Sequence, residues 1–287
     1  MLKVPNRARA CDLDLNEIYS LESFGEFKDF AFGLLEAGDL VSSHGMIGRA
    51  EDMGFVGSRQ GFFEWILQYP VKFWEYCRVL DMLPCGPGQR VLDIGGGSSP
   101  ISCYLAERGS RVYVVDNERV AGRYSILRNS NMIAAKHGWF LSASRGTATA
   151  LPFADSVFER VISISVLEHV GNLEDQAAAF KEAHRVLKRG GMFAVTFDYG
   201  DVRKGKYHRC VKDSAAIRAL ISGAGFSVVG NTDFEDVDYD SRAVREWEEA
   251  AKSRNQERWA KRFLKRLEIP GYGRHLWYTA FSLFLKK

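Results

Sequence analysis

The segment VLDIGGGSSP, residues 91–100, constrains the fold of this chain more than any other. Its apolar residues predict a buried strand, and three successive glycines predict a tight turn whose backbone approaches a ligand without side-chain hindrance. Pro100 suits the first turn of a helix, which continues to about Gly109. A second apolar run, RVYVVDNERV, carries Asp116 nineteen positions after Gly97. Strand, glycine turn, helix, strand and acid together indicate a site for a nucleotide-like cofactor.

The spacing of the glycines distinguishes between two kinds of cofactor. A dinucleotide fingerprint, G-x-G-x-x-G counted from Gly95, would require glycine where this chain has Pro100. Asp93 precedes the first glycine, and its carboxylate would repel a pyrophosphate but attract a sulfonium and an ammonium group. The pattern D-x-G-x-G beginning at Asp93 resembles motif I of the class I S-adenosylmethionine-dependent methyltransferases.

The resemblance extends downstream and covers residues 89–287. Residues 149–170 resemble the adenine-binding loop and fourth strand of the family, and residues 186–197 resemble its fifth strand with the preceding glycine turn. The resemblance implies S-adenosylmethionine as the cofactor. It also implies binding by Asp93, Gly95, Gly96 and Gly97 at the methionine part, Asp116 at the ribose, Asn117, Thr147 and Ala148 at the adenine, and Ser165, Val166 and Leu167 beneath the cofactor.

Three positions depart from the family pattern: Thr147, Glu159 and Arg189, of which Thr147 is the largest departure. Relatives usually carry an acid where this chain has Thr147, and that acid accepts a hydrogen bond from the adenine amino group. The threonine hydroxyl still accepts one such bond. We therefore expect a change in cofactor affinity rather than in cofactor identity.

An aromatic segment, residues 61–83, precedes motif I. Its large side chains recur at helical spacing, and Pro70 predicts either two helices or one kinked helix. Most of these aromatic residues are expected to pack on the sheet. Tyr69 and Trp74 are predicted to contact the cofactor as part of a lid, because an aromatic face attracts a sulfonium.

Two histidines are candidate general bases. His169 follows the predicted fourth strand, at the sheet edge where doubly wound proteins bind ligands, although it also fits the cofactor-binding shell. His208 lies in a loop after the fifth strand and is either a pocket-covering base or part of a solvated basic turn. Methyl transfer requires no metal, and the sequence lacks metal-ligand spacing of cysteine and histidine.

Composition narrows the choice of partners and location. The formal charge of +3 on 287 residues, without a long basic tract, gives no reason to expect a nucleic-acid partner. Five cysteines without paired spacing fit free thiols in a reducing compartment. The sequence shows neither a membrane-spanning apolar run nor a signal-peptide core. We therefore expect a cytoplasmic protein that does not bind membranes and that forms either monomers or homodimers.

Alternating strand and helix patterns after residue 88 predict a Rossmann-like α/β fold, with a seven-stranded doubly wound sheet. By the family resemblance, the last strand is antiparallel. Residues 1–87 are predicted to form an N-terminal extension with an aromatic helical lid, and residues 88–287 a methyltransferase core. A helical insertion is expected at about residues 231–272, before the last strand. Strands are predicted at residues 90–94, 111–115, 139–142, 160–164, 192–197, 226–229 and 277–285.

The sequence thus predicts an S-adenosylmethionine-dependent methyltransferase that modifies an oxygen or nitrogen atom of a small metabolite. An RNA or protein methyltransferase would have the same core but would need a recognition element, and the mixed charges of the insertion disfavour the nucleic-acid version. A non-catalytic regulatory module that binds the cofactor is a further alternative, since a fold does not fix a function.

Overall fold

The computed structural model of this chain describes residues 6–9, 20–37, 39, 70–118, 125–199, 214–230, 232–233 and 279–287. The strands in these ranges are β1 Asn6–Arg9, β2 Arg90–Ile94, β3 Arg111–Asp116, β4 Leu141–Arg145, β5 Phe158–Ile164, β6 Leu187–Tyr199, β7 Ser227–Val228, β8 Thr232–Asp233 and β9 Thr279–Lys286. They form one sheet in the order β4-β3-β2-β5-β6-β9-β1-β8, and β7 pairs with β9.

The seven predicted strands form the doubly wound part of this sheet. Strands β2 to β6 are parallel to one another. Strand β9 runs antiparallel to β6, from Met192 opposite Lys286 to Tyr199 opposite Thr279, and β7 is antiparallel to β9. The predicted Rossmann-like sheet with an antiparallel last strand is therefore confirmed.

Two short strands extend the sheet beyond the predicted seven. Strand β1 pairs antiparallel with β9, with Ala8 opposite Phe281, and it pairs parallel with β8, with Asn6 opposite Thr232. The sequence NRAR has no apolar alternation, which is why the pattern did not predict a strand there. Short polar strands are common at sheet edges, where long apolar ones would aggregate.

The helices of the described residues are α1 Phe24–Glu36, α2 Pro70–Met82, α3 Pro100–Glu107, α4 Ile126–His137, α5 Leu173–Val186 and α6 Ser214–Ala224. Side-chain hydrogen bonds and a glycine define the ends of two of these helices. The Ser125 side chain accepts a hydrogen bond from the Arg128 amide at the start of α4, and Gly138 ends that helix in the left-handed conformation. Asn172 and Asp175 form a capping box at the start of α5.

Apolar side chains on the two faces of the sheet form separate clusters. Val112 and Val114 belong to a cluster with helices α1 to α4, whereas Val115 belongs to a cluster with α5 and α6. Successive residues of a strand point to opposite faces, so helices cover both sides of the sheet. Burial on both faces explains why β2 and β3 are nearly continuous apolar runs.

Several strand boundaries differ from the predicted ones. Strand β4 begins at Leu141 rather than Trp139, and β6 begins at Leu187 rather than Met192. The glycine turn predicted before the fifth strand lies inside β6 and makes its pairing with β5 irregular. Phe158 of β5 is opposite Leu187 of β6, but Arg160, two residues later, is opposite Met192. A bulge of this kind inserts extra residues without ending the strand.

Most of the predicted insertion at 231–272 lies outside the described residues; residues 232–233 form β8. Among the helices that the structure describes, none has the length and apolar character required to cross a bilayer.

Candidate functional site

The candidate site lies where the order of the strands reverses. Strands β3 and β4 lie on one side of β2, and β5 and β6 lie on the other. Ligands of open parallel sheets bind beyond the carboxyl ends of the strands at such a reversal. The segments that leave β2, β3 and β5 at this edge are residues 95–99, 117–118 and 165–169. These segments carry most of the predicted cofactor-binding residues.

The glycine loop after β2 is packed too closely to accommodate side chains. Gly95 has a φ of 76°, and a Cβ atom there would lie 2.3 Å from the Val166 side chain. A Cβ atom on Gly96 would lie 2.0 Å from a carboxylate oxygen of Asp93. The loop therefore touches the turn after β5 on one side and Asp93 on the other, and only glycine satisfies both contacts.

Asp93 lies beneath the glycine loop. Its side chain is 1% exposed, and the Ser102 hydroxyl donates a hydrogen bond of 2.5 Å to its Oδ2. Burial raises the pKa of Asp93 to about 7; the Ser102 hydrogen bond opposes this rise and the charge of Asp116 adds to it. A cation bound above the loop would favour the ionised form. Asp93 is thus placed to act on a cationic ligand through the loop rather than from an open surface.

Asp116, at the end of β3, contacts the glycine loop directly. The backbone N–H groups of Glu118 and Gly97 donate hydrogen bonds to its carboxylate. Burial raises the pKa of Asp116, and these hydrogen bonds partly offset the rise. The structure therefore brings together the acid and the glycine turn, which lie nineteen positions apart in the sequence.

The turn at residues 146–150 lies beside Asp116, because the Gly146 amide donates a hydrogen bond of 3.0 Å to the Asp116 carbonyl oxygen. Thr147 is exposed, and its hydroxyl accepts a hydrogen bond of 3.1 Å from the Thr149 amide. The two threonine hydroxyls are also hydrogen-bonded to each other, at 2.7 Å. The oxygen that we assigned to adenine thus already has partners within the turn. Ala148 is partly buried here, and Asn117 is exposed after β3.

Helix α5 holds the loop that follows this turn. The Arg185 guanidinium donates hydrogen bonds to the carbonyl oxygens of Leu151 (3.1 Å) and Phe153 (2.8 Å). It also pairs with Asp155 and Glu182, both at 2.7 Å. The Arg185 hydrogen bond lowers the pKa of Glu182 against the opposing effect of burial. One arginine therefore fixes the backbone beside the predicted adenine site.

The turn after β5 contains a residue in an unusual conformation. Ser165 has a φ of 51° although it is not glycine, and it is nearly buried. Leu167, Glu168 and His169 then form a single 3₁₀ turn, in which Leu167 is 2% exposed and His169 lies on the exposed side. Non-glycine residues in this region of φ are often found at functional sites.

Helix α2 adds polar groups that the sequence analysis did not assign. Glu75 is fully buried, and its Oε1 accepts hydrogen bonds of 2.6 Å from the hydroxyls of Ser165 and Thr196. The side chain of Tyr76 is hydrogen-bonded to that of Ser99, which follows the glycine loop. The sequence contained one signal for this role of Glu75. A carboxylate within a strongly aromatic helix is expected to be buried, and a buried carboxylate requires a hydrogen-bond or ion-pair partner.

The predicted lid and loop residues are only partly described. Trp74 is 1% exposed and packs in the cluster on the side of α1 to α4, which is a core position rather than an open ligand-facing one. Tyr69 and His208 lie outside the described residues. The structure therefore places the loop, Asp116 and the turns at 147 and 165 around one edge, with His169 at its exposed border.

Comparisons with known proteins concern the family and the fold of this chain. Residues 92–195 match the family model for a methyltransferase domain. An uncharacterized protein of Mycobacterium tuberculosis is 39% identical over 111 residues, which are 38% of this chain and 37% of that protein. A ubiquinone/menaquinone biosynthesis C-methyltransferase of Xanthomonas campestris is 37% identical over 114 residues, 38% of this chain and 42% of that enzyme. The match thus spans about two fifths of each relative.

Solved structures show the same fold. The [4+2]-cyclase SpnF superposes with a TM-score of 0.52 and 19% identity, and the match covers 74% of this chain and 79% of the cyclase. The match to the family model begins in β2 and ends in β6. This part of the chain matches a methyltransferase domain, and S-adenosylmethionine is the cofactor that the resemblance of its glycine motif implies.

The residues present fit this cofactor. A glycine loop without space for side chains lets a ligand reach the backbone, and a buried carboxyl with a raised pKa lies directly below it. Asp116 ends the adjacent strand, where it can accept hydrogen bonds from a ribose. These groups meet at one sheet edge, as binding of an amino acid joined to a nucleoside requires.

Proposed function

We propose that this protein transfers a methyl group from S-adenosylmethionine to a small-molecule acceptor. The observation that carries the proposal is the contact between the glycine loop and two carboxyl groups, Asp93 below it and Asp116 beside it. A carboxylate close to the loop suits a sulfonium and disfavours a pyrophosphate. The family match over residues 92–195 supports the same choice.

When bound, S-adenosylmethionine supplies an electrophilic methyl group on a positively charged sulfur atom. The chain has to hold the acceptor in line with that group, exclude water and, where needed, remove a proton. We assign binding of the ribose to Asp116 and support of the methionine part to the loop at 95–97. The turns at 147–148 and 165–167 would enclose the cofactor from its two sides.

His169 is our candidate general base among the described residues, because its exposed ring borders the site. A base has to reach the acceptor, and an exposed position after β5 permits this. His208 is the second candidate and follows β6 in the sequence. Replacement of either histidine by asparagine should lower kcat without changing cofactor affinity if that residue is the base.

The acceptor atom is the least constrained part of the proposal. The sequence predicts oxygen or nitrogen, and the name of the Xanthomonas relative adds carbon as a third possibility. We retain a small metabolite as the acceptor because the formal charge of +3 is low for a chain that binds RNA. An activity other than methyl transfer is the alternative function, because a cyclase has the same fold.

Calorimetric titration with S-adenosylhomocysteine tests the cofactor assignment. We expect binding by the wild type and loss of binding in Asp116→Ala and Gly95→Arg, with the fold retained by circular dichroism. Asp29→Ala and Gly33→Ala are matched controls, since Asp29 is exposed on α1 and a Cβ atom on Gly33 meets nothing within 4 Å. Equal affinity in all five proteins would refute the site.

A second assay tests the reaction. Incubation with S-adenosylmethionine and a panel of phenols, amines, carboxylates and quinols should release S-adenosylhomocysteine with at least one acceptor. Cofactor binding without release for any acceptor would favour the non-catalytic alternative. Homodimer formation and cytoplasmic location remain predictions from the sequence, and size-exclusion chromatography with light scattering tests the first.

A further inference from the structure

Three polar residues of helix α2 lie on one helical face directed at the site. Lys72, Glu75 and Tyr76 are spaced i, i+3 and i+4, so their side chains neighbour one another. Tyr76 reaches Ser99 at the glycine loop, and Glu75 reaches Ser165 after β5. The face of α2 thus contacts two of the segments that form the cofactor site.

Glu75 connects β6 to the turn after β5 through one carboxylate oxygen. Its Oε1 accepts hydrogen bonds of 2.6 Å from both the Ser165 and the Thr196 hydroxyls. Thr196 lies in β6 opposite Ile164, the residue before Ser165, and its own oxygen atoms accept hydrogen bonds from the Ser165 amide. All three residues are buried. Hydrogen bonds to a charged, buried acceptor are among the stronger ones in proteins.

The second oxygen of Glu75 faces a lysine. The Lys72 ammonium lies 2.9 Å from Oε2, so the two groups form an ion pair. Burial lowers the pKa of Lys72. The Glu75 carboxylate, together with Tyr76 and Glu168, raises it by more, so the pKa of Lys72 lies above its ordinary value. The lysine is therefore a cation, and it stabilises a carboxylate that would otherwise be costly to bury.

Ser165 and the residue after it connect Glu75 to the glycine loop. Its φ of 51° is a conformation that side-chain-bearing residues rarely adopt without support from their surroundings. The next residue, Val166, packs where a Cβ atom on Gly95 would otherwise lie. Release of the Ser165 hydroxyl would let the turn relax and would move Val166 relative to the loop.

We infer that Glu75 is a positioning residue of the cofactor site, which holds the Ser165 turn in its left-handed conformation and thereby sets the packing of Val166 on the glycine loop. This inference rests on the proposed function, since it concerns the same site. It makes helix α2 a part of the cofactor-binding machinery rather than only a cover over it.

Titration of purified variants with S-adenosylhomocysteine tests the inference. Glu75→Ala should weaken binding about tenfold or more, as expected for loss of hydrogen bonds to a charged group. The double variant Glu75→Gln with Lys72→Met should bind within about threefold of wild type, because the amide oxygen still accepts both hydroxyl bonds and the unpaired ammonium is gone. The double variant also tests the inference if Glu75→Ala does not fold.

A rescue experiment separates positioning from general stability. Glycine adopts a left-handed turn without support, so Ser165→Gly in the Glu75→Ala background should recover at least threefold in affinity over Glu75→Ala alone. Glu26→Ala is the matched control. It removes a carboxylate of α1 that pairs with Tyr104 in α3 and with Arg108 just after α3, and it should leave affinity unchanged.

The outcomes distinguish failure of this inference from failure of the proposed function. If wild type fails to bind the probe, the proposed function itself is wrong. If wild type binds and Glu75→Ala binds equally well, Glu75 has no positioning role. The inference is also overturned if Ser165→Gly gives no recovery, or if the Gln/Met double variant is as weak as Glu75→Ala, because the charge would then matter rather than the hydrogen bonds.

Discussion

The carboxyl group of Asp93 should make the folded protein less stable at neutral pH than a neutral side chain would. Burial raises its pKa from 3.8 to about 7. Between these values the folded chain retains a proton that the unfolded chain has lost. The free energy of unfolding therefore falls as pH rises from about 4 to 7, and the full cost is present above about pH 7. About three pKa units at about 1.4 kcal/mol each give an upper bound of about 4 kcal/mol.

Asp93→Asn removes this titration, and its amide oxygen still accepts the Ser102 hydrogen bond. Without cofactor, we expect the variant to be more stable than wild type at pH 8 by about 1–4 kcal/mol, and close to wild type at pH 4. It should bind S-adenosylhomocysteine more weakly, because the negative charge below the loop is lost. Urea denaturation at pH steps from 4 to 8.5 measures the first effect, and calorimetric titration measures the second.

Asp39→Asn provides a control of opposite sign. Hydrogen bonds and charges from Lys136 and His137 outweigh the effect of burial and lower the pKa of Asp39. Its contribution to stability is therefore present above about pH 4 and disappears on acidification. Asp39→Asn should lose stability at pH 8, where Asp93→Asn gains it. If Asp93→Asn is less stable than wild type at pH 8, or if the two pH profiles run parallel, the reasoning about Asp93 is refuted.

Three further predictions follow from the site. Gly96→Ala should weaken cofactor binding and lower the free energy of unfolding by about 1–3 kcal/mol, whereas Gly33→Ala should do neither, since only the first new Cβ atom meets a carboxylate. Affinity for S-adenosylmethionine should rise with pH up to about 7 and then level off, because the cation favours ionised Asp93; a pH-independent affinity would contradict this. Arg185→Met should lower the unfolding free energy by about 1–2 kcal/mol and weaken cofactor binding, measured against the exposed-residue control Arg189→Met; equal behaviour of the two variants would contradict the role of Arg185 in holding the loop at 151–155.

The sequence predicted those parts of the fold that depend on residues close to one another along the chain. The strand before Gly95, the glycine turn and the acid that ends the next strand lie within residues 91–116, so a short window contained their whole signal. Strands β2 and β3 were predicted because buried parallel strands are apolar along most of their length. Strand β1 was missed because the sequence NRAR carries no such pattern.

The parts of the site that were missed depend on contacts between distant residues. Glu75 meets Ser165 and Thr196 only after the sheet has formed, and nothing near residue 75 specifies those partners. The burial of Asp93 beneath Gly96 was equally inaccessible, because the pattern D-x-G-x-G gives the order of the residues but not the direction of the side chain. Trp74 was expected at the ligand because aromatic helices supply both lid and core, and sequence periodicity alone does not separate these roles.

The pairing of β9 between β6 and β1 has a consequence for biosynthesis. Strands β2 to β6 can assemble while the chain is still being made, but among the described strands the outer edge of β6 pairs only with β9, residues 279–286, which emerge late from the ribosome. The early segment Asn6–Arg9 gains its antiparallel partner only at the same event, since Ala8 pairs with Phe281. A nascent chain stalled before residue 279 would expose an open strand edge, which makes it a target for chaperones and a seed for aggregation.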